Sequence, residues 1–562
     1  MKWSVAFLAV PALLAVAVRA DGHSQVEIPV NGNARITVSS CFDSLSISGY
    51  APVNVTINNG TGATREWTFE FQSPGGGWNS TDTLQSSFTI QVENNGTRTT
   101  TLLVPTKAGE NGQTPLGVTA KGYGLVDGIE QTLGDRSWSG KPRTPYVVMS
   151  ESLGTGIWSD LVKRVDNSGS DLLGSTVNPD DLPEDWRGLS GIAGMWMTGD
   201  ELNKLDPAQR DAILTWVHAG GWLTLCRVLE APKDFRDAGF GHVRTLPGAL
   251  DSTQNIETTI LSGELPAMPA YSGAFKGGTA AEKDELMEVT PNVPLLFGVM
   301  AIFAVVVGPL NIWVLARRRR ERLFWTTPVI SVCASGMLMG MIVMQDGIGG
   351  HGLRAAVVCV FPESHNEVVT QEELSRCGLL LGSGFQTRDP VVVRQLDISQ
   401  FSPMGAKSTG RGLKNEGTTF HGQWFESRAA QAQRIVEVTP TRAEITVVNA
   451  ADARDKGASP AIVSSFGGTL DLLVYTDGQN RQWTGSAVRT GQEQTLKPAT
   501  VKNPGMASQL IALGGGKLGD LATQAGYFYA TSADGHDYVE TLGSIHWHDD
   551  PIIYVGPVTA NP

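Results

Sequence analysis

The stretch that decides how this chain is organised runs from Val293 to Gln345. It reads VPLLFGVMAIFAVVVGPLNIWVLA, then RRRRER, then LFWTTPVISVCASGMLMGMIVMQ. Residues 293–316 carry no charge, and Asn311 is their one strongly polar side chain. A helix rises about 1.5 Å per residue, so a run of that length crosses a hydrocarbon core of roughly 30 Å. Residues 323–345 form a second uncharged run. The turn between them, 317–322, holds Arg317, Arg318, Arg319, Arg320 and Arg322. The pattern predicts two transmembrane helices joined by a short basic turn. Because Arg marks the cytoplasmic side of short loops, the turn is expected inside and both flanking regions outside. Ala304 with Gly308, and Gly336 with Gly340, have the small-xxx-small spacing that lets helix backbones approach, either within the hairpin or against a partner membrane protein. Neither run contains an ionisable side chain, which argues against an ion pathway.

Working outward, residues 1–20 read as a secretory signal. Lys2 precedes an apolar run from Val5 to Val18, and Val18-Arg19-Ala20 offers a cleavage site, so the mature chain is expected to begin at Asp21. The 562 residues allow several domains, and a hydrophobic fraction of 41% keeps membrane segments few and local. A formal charge of −13 with no long basic stripe excludes nucleic acid as a natural partner. Of the five cysteines, Cys333 lies in the second apolar run. The remaining four permit three pairings if they are not simply buried thiols. Cys359 with Cys377 is the preferred disulfide, since both fall in the region after the hairpin.

Residues 21–140 alternate apolar and polar side chains in segments such as ARITVSS, NVTINN and EWTFEF, separated by Asn-Gly and Gly-Gly turns. That spacing predicts a β-sandwich of immunoglobulin-like size. The pattern changes over 141–250. Tyr146-Val147-Val148-Met149, Ile192 to Met197 and Trp222 to Cys226 read as buried strands. Asp206-Pro207 starts a helix that Gly220-Gly221 ends. Alternating strands and helices predict a parallel α/β unit. Asp200 and Glu201 follow its central strand, where open α/β sheets place ligands, and are the weak ligand-binding candidates; helix capping is the competing use.

The stretch LPEDWRGLSGIAGMWMTGDELNKLDPAQRDAILTWVHAGGWLTL, residues 182–225, resembles the class I glutamine amidotransferase-like domain of uncharacterised bacterial membrane proteins. The resemblance implies a flavodoxin-like α/β fold over 141–245 and a place in a bacterial inner membrane, with both large regions periplasmic. Active members carry a Cys on a tight strand-to-helix turn. Here Thr198-Gly199-Asp200-Glu201 follows the central strand without one, and Cys226 has no flanking Gly. A thiolate nucleophile needs an exposed turn and a positioned base, so that chemistry is expected to be lost.

Residues 251–292 read as a linker and 351–562 as one or two further β-sandwich domains, from strands such as AAVVCVF, AEITVVN and LDLLVYT. His546 and His548 would share a face of a strand and are weak metal-ligand candidates that need a third donor. Gly514-Gly515-Gly516-Lys517-Leu518 lacks the Ser or Thr of a phosphate-binding loop, and no cofactor is expected. The whole reads as a multidomain α+β membrane protein. Its expected function is non-catalytic: an envelope anchor presenting binding or scaffold domains to the bilayer and to a membrane or envelope protein partner, beside a transport or secretion complex. A hydrolase acting through the α/β unit and a glycan-binding surface protein are the alternatives.

Overall fold

The computed structural model describes residues 25–562 apart from 43, 47, 75–82, 108–115, 126–129, 135–143, 248–252, 263–264, 266–292, 316–322, 397–412, 450–457, 500–520, 535 and 561–562. The expected signal segment 1–20 and the basic turn with Arg317, Arg318, Arg319, Arg320 and Arg322 therefore lie outside the described residues. The described chain is rich in strands, arranged in several sheets with few helices.

The first sandwich packs one sheet, Gln25–Ile28, Ala34–Ser40, Ser48–Asn59 and Thr97–Lys107, on a second that contains Thr83–Val92, Arg65–Pro74, Leu116–Gly122 and Glu130–Leu133. Alternation explains the layers. Ile36, Val38, Val53, Val55 and Ile57 face Trp67, Phe69, Phe71, Ile90 and Val118 across the core. The second sheet does not end with this region. Beyond Thr83–Val92 it continues through Leu413–Glu416, Thr419–His421 and Phe385–Gln386, with Leu413 and Lys414 in parallel register against Leu84 and Gln85. The region after the apolar helices is thus not a separate unit, because three of its strands complete the first sandwich.

The α/β unit holds five parallel strands in the spatial order Gly174–Val177, Val147–Ser150, Gly194–Thr198, Trp222–Cys226, His242–Leu246. In chain order that is 2-1-3-4-5, the order of one common doubly wound sheet. Asp206 caps Pro207–His218 in a capping box with Gln209. Gly221 ends that helix because a Cβ there would strike the Trp216 ring. The expected linker is partly structured: Thr253–Leu261 is a helix that buries Ile256 and Ile260 against Leu161 and Val165.

The third body is a long mixed sheet running from Val391–Leu396 through Ala430–Pro440, Asn366–Cys377, Gly350–Phe361, Ile552–Pro557, Tyr527–Ser532 and Leu470–Thr476 to its far edge. A smaller sheet, Glu493–Thr495, Ala461–Ser464, Ile445–Val447 and Thr559–Ala560, adds to the core on one side. A buried polar row crosses the long sheet. Glu373 accepts from Gln371 Nε2 at 2.8 Å, Gln433 Nε2 at 2.7 Å and Thr541 Oγ1 at 3.0 Å, and burial pushes its carboxyl up to about 7. On the other face, Phe361 stacks on His218 of the α/β unit, ring centroids 3.6 Å apart, and Gly239 leaves room for the same ring.

The apolar segments differ from expectation in two ways. The second is a single helix, Leu323–Asp346, whose stretch Leu323–Gly340 is long and apolar enough to cross a membrane. The first is not one α-helix: Val293–Val305 is α-helical and Val306–Leu315 is π-helical around Pro309. Proline removes a backbone donor and clashes one turn back, which accounts for the changed hydrogen-bond step. The second difference concerns packing. Gly308, Gly336 and Gly340 have no neighbouring atom where a Cβ would sit, and Ala304 is exposed, so these positions do not hold the two helices together. The contact is polar instead. Buried Asn311 donates to Thr327 Oγ1 at 3.0 Å and accepts from Thr326 Oγ1 at 2.7 Å.

His218 supplies a pH test of the joint between α/β unit and long sheet. Its Nε2–H donates to the Asp237 carbonyl at 3.0 Å, and burial pushes the imidazole down to about 4 from its ordinary 6.5. The unfolded chain binds the proton more tightly, so this contribution is complete above pH 6.5 and is lost as pH falls toward 4. The expected loss is about 3 kcal/mol. Glu373 acts in the opposite direction, so the comparison is between the wild type and His218→Gln. Unfolding followed from pH 7 to 4 should show the wild type losing stability relative to the variant, and parallel curves would refute the assignment.

Candidate functional site

A cleft of about 690 Å³ opens where the three bodies meet. One wall is the outer face of the first sandwich, with Asn54, Thr99 and Thr101 above Leu102 and Leu103. The opposite wall is the 180–187 loop of the α/β unit, and Asn415 and Gly417 close one end. Asn178 and Asp185 each cap a short turn of that loop, which explains why PDDLPEDW holds a defined shape. Asp185 grips Arg187 through both oxygens, Nε at 3.1 Å and Nη2 at 2.6 Å, and Gln209 pins the loop from below by donating to the Asp180 and Leu182 carbonyls. Asp180, Asp181 and Glu184 are left exposed on the rim.

The floor is set by Tyr50. Its hydroxyl donates to the Val391 carbonyl at 3.3 Å and accepts from Asn415 Nδ2 at 2.5 Å, so three distant segments meet at one oxygen. Burial pushes this phenol up to about 12, which keeps it a neutral donor. Arg394 on Val391–Leu396 donates to the Ser190 carbonyl, and Ser190 Oγ accepts from the Tyr50 backbone. A polar rim over an apolar floor at a junction between bodies is the usual setting of a binding site. Its groups can accept hydrogen bonds and attract positive charge. No nucleophile and base are paired along this lining.

The residues expected from sequence lie elsewhere. Asp200 is exposed on the first turn of Gly199–Lys204. Glu201 closes a capping box: one oxygen accepts from the Thr198 backbone and hydroxyl, each at 2.8 Å, and the other from the Ser150 hydroxyl. Burial opposes its charge, but these bonds together with one from Ser152 outweigh it and hold the carboxyl below its ordinary range. Glu201 thus spends one oxygen on the helix start and the other on Ser150 at the end of a neighbouring strand. Cys226, 0% exposed, has its thiol pushed up to about 11 by burial, so it stays protonated.

The histidine expectation is met only in part. His546 and His548 share a face of Ile545–Asp549, and the His351 ring lies 5.7 Å from that of His546. Among the described residues, however, no three His, Cys, Asp or Glu side chains are placed to hold a metal ion. The preferred disulfide is corrected outright. Cys377 faces Gly350 while Cys359 faces Val368, at opposite ends of one strand pair and in different cores. Nine residues along a strand are about 30 Å, far beyond bridging distance.

Sequence reasoning missed Tyr50, Arg187 and Asn415. The carboxylates between Asp180 and Asp185 carry no local motif, and the partners that make them one wall of a cleft are far away in sequence. Two results test this geometry. Tyr50→Phe should lower unfolding stability by about 1–3 kcal/mol, because buried Asn415 loses its acceptor; an unchanged denaturation curve would refute the bridge. Thiol titration of the denatured, unreduced chain should count five free thiols, and a count of three would restore a disulfide.

No sequence-family profile matches the chain, and no characterised protein is similar to it in sequence. Among solved structures it is similar to a calcium-binding mutant of Bacteroides uniformis beta-glucuronidase 2, at 8% identity over 34% of each chain with a TM-score of 0.13. It spans only about that third of the glucuronidase's length. It is also similar to a beta-D-mannosidase from Dictyoglomus thermophilum, at 7% identity over 84% of this chain and 75% of that one with a TM-score of 0.15. Scores this low carry no argument about fold or activity.

Proposed function

We propose that this chain is a non-catalytic membrane protein. A hairpin of two spans anchors one continuous body outside the cytoplasm, and the cleft between its parts binds a membrane or envelope protein partner, in the setting of a transport or secretion complex. The observation that carries this reading is the parallel pairing of Leu413-Lys414 with Leu84-Gln85. A strand pair cannot straddle a bilayer, since its backbone bonds would have to cross hydrocarbon. The chain between these residues therefore crosses an even number of times. Leu323–Gly340 is one span by length and composition. Val293–Leu315 is the return, and the five Arg of 317–322 put the turn in the cytoplasm.

Exposure supports the same reading. Phe297, Ile302, Trp313, Phe324, Trp325 and Val332 stand open on the two helices, an apolar surface that a water-soluble chain would cover. Trp313, Phe324 and Trp325 flank the turn at the level where aromatic side chains meet headgroups. Asn311 ties the spans together with bonds worth about 1 kcal/mol each. The non-catalytic part rests on the buried, protonated thiol of Cys226 and the capping role of Glu201, on an α/β unit that we place as a degenerate amidotransferase-like domain of a bacterial inner-membrane protein. The partner is read from the cleft, whose exposed carboxylates and leucine floor suit a segment carrying basic and apolar side chains.

Reporter fusions with junctions after Ala20, within Arg317–Arg322 and after Gly350 test the topology. An export-dependent reporter should work at the first and third junctions and fail at the second; activity within the Arg turn would overturn the anchor. Purification in mild detergent should recover a stoichiometric membrane or envelope partner from wild type and lose it when Asp180→Asn, Asp181→Asn and Glu184→Gln are combined. Recovery unaffected by the triple change would remove the cleft from the reading.

A further inference from the structure

Beyond the hairpin, the long sheet carries a loop whose height above the membrane is set by hydrogen bonds. The second helix ends with Gly347 N donating to the Val343 carbonyl at 3.0 Å. The chain then meets the loop that follows Asn366–Cys377. Leu379 N donates to the Gly347 carbonyl at 3.0 Å, Gly349 N to the Leu379 carbonyl at 3.0 Å, and Gly378 N to the Gly349 carbonyl at 2.7 Å. Leu379 is therefore bound to the residues where the helix stops, and Leu381 is two positions further. At about 3.3 Å per residue, Leu381 lies within about 7 Å of Leu379, which is itself hydrogen-bonded to Gly347 at the helix end. The headgroup layer is on the order of 5–8 Å deep on each side of the hydrocarbon.

The side chains at this level are those of an interface. Leu381 is 91% exposed and Ile348 is 64% exposed, whereas the strands just above are almost wholly buried. Beside them is a groove of about 520 Å³ lined by Leu380, Leu381, Ser383, Phe425, Glu426 and Ser427. The loop holds its shape without any outside partner: Leu380 N donates to Ser427 Oγ at 3.0 Å, and Ser383 Oγ to the Gly422 carbonyl at 2.6 Å. A preformed loop that holds a leucine almost fully exposed next to a membrane exit has the shape of a shallow anchor. Exposed apolar tips over hydroxyl and carboxylate groups match the boundary between headgroups and acyl chains.

We propose that the 378–383 loop, together with Ile348, is a second contact with the same bilayer, seated at headgroup depth, and that it sets the tilt of the exported body. This rests on the membrane reading of the two helices. A body joined to the helices at the single point Gly347 keeps freedom to tilt about it, since the bonds of Gly347 and Gly349 to Gly378 and Leu379 lie within the body. A second contact removes that freedom and fixes where the cleft points.

The test uses the full chain in phosphatidylcholine vesicles that contain nitroxide-labelled phosphatidylcholine, the nitroxide either at the headgroup or deep in the acyl chain. Among the cysteines only Cys333 is exposed, so an environment-sensitive fluorophore reports the second span in the wild type. It reports the loop in Leu381→Cys combined with Cys333→Ala. Leu229→Cys in the same background is the control, since Leu229 is exposed on the distant α/β unit. The expected result is loss of Cys333 fluorescence with the deep nitroxide, loss of the signal at position 381 with the headgroup nitroxide, and no loss at position 229. If Cys333 is quenched and position 381 behaves like position 229, the loop contact is overturned and the hairpin stands. If Cys333 is not quenched by either lipid, both readings fall.

Discussion

Everything in this molecule depends on the chain closing on itself around its two apolar helices. The pairing of Leu413-Lys414 with Leu84-Gln85 is short, yet it is backed by the Tyr50 hydroxyl shared between Val391 and Asn415 and by Arg394 on the Ser190 carbonyl. His218 stacked on Phe361, and the Tyr527 hydroxyl on Asp237 at 2.8 Å, close the other joint. The apolar segment is thereby an insertion into one continuous body.

The two joints differ in chemistry. Where the α/β unit meets the long sheet, Phe361, Phe240 and Ala219 bury apolar surface and the polar contribution is confined to a few side chains. Where it meets the first sandwich, polar bonds such as Ser190 Oγ accepting from the Tyr50 backbone stand beside the apolar packing of Phe42 on Tyr146. The cleft lies at this second joint. A junction held by directional bonds at a few points leaves a gap between them, whereas an apolar junction collapses until it is filled. The same contrast appears between the two apolar helices, which touch through Asn311 and leave their glycine positions open.

How much of this was legible in the sequence depends on the distance over which each signal acts. The alternation in ARITVSS and NVTINN marks strands with one buried face, and Asp206-Pro207 with Gly220-Gly221 brackets a helix, because caps and pleats are decided within a few residues. Glu373 was not legible: TQEELS reads as solvent-facing, and only Gln371, Gln433 and Thr541 make its burial tolerable. Cys359 and Cys377 were near in sequence and far in space because they sit at opposite ends of antiparallel strands. Small-residue spacing at Gly336 and Gly340 was real as a pattern, but a pattern of allowed contact does not say which surface makes it.

By itself, then, the sequence determined the properties that local chemistry dictates: two uncharged runs around a cluster of arginines, strands with one apolar face, a parallel α/β unit, and a central strand without a nucleophilic cysteine after it. Tertiary structure alone decided that strands from beyond the apolar helices complete the first sandwich, that Glu201 is divided between a helix cap and Ser150, that among the described residues no third donor joins His546 and His548, and that a cleft opens over Tyr50. These depend on contacts between residues hundreds of positions apart. Such contacts are selected by which apolar faces and polar groups can be satisfied together, a condition on the whole fold that no short window of sequence records.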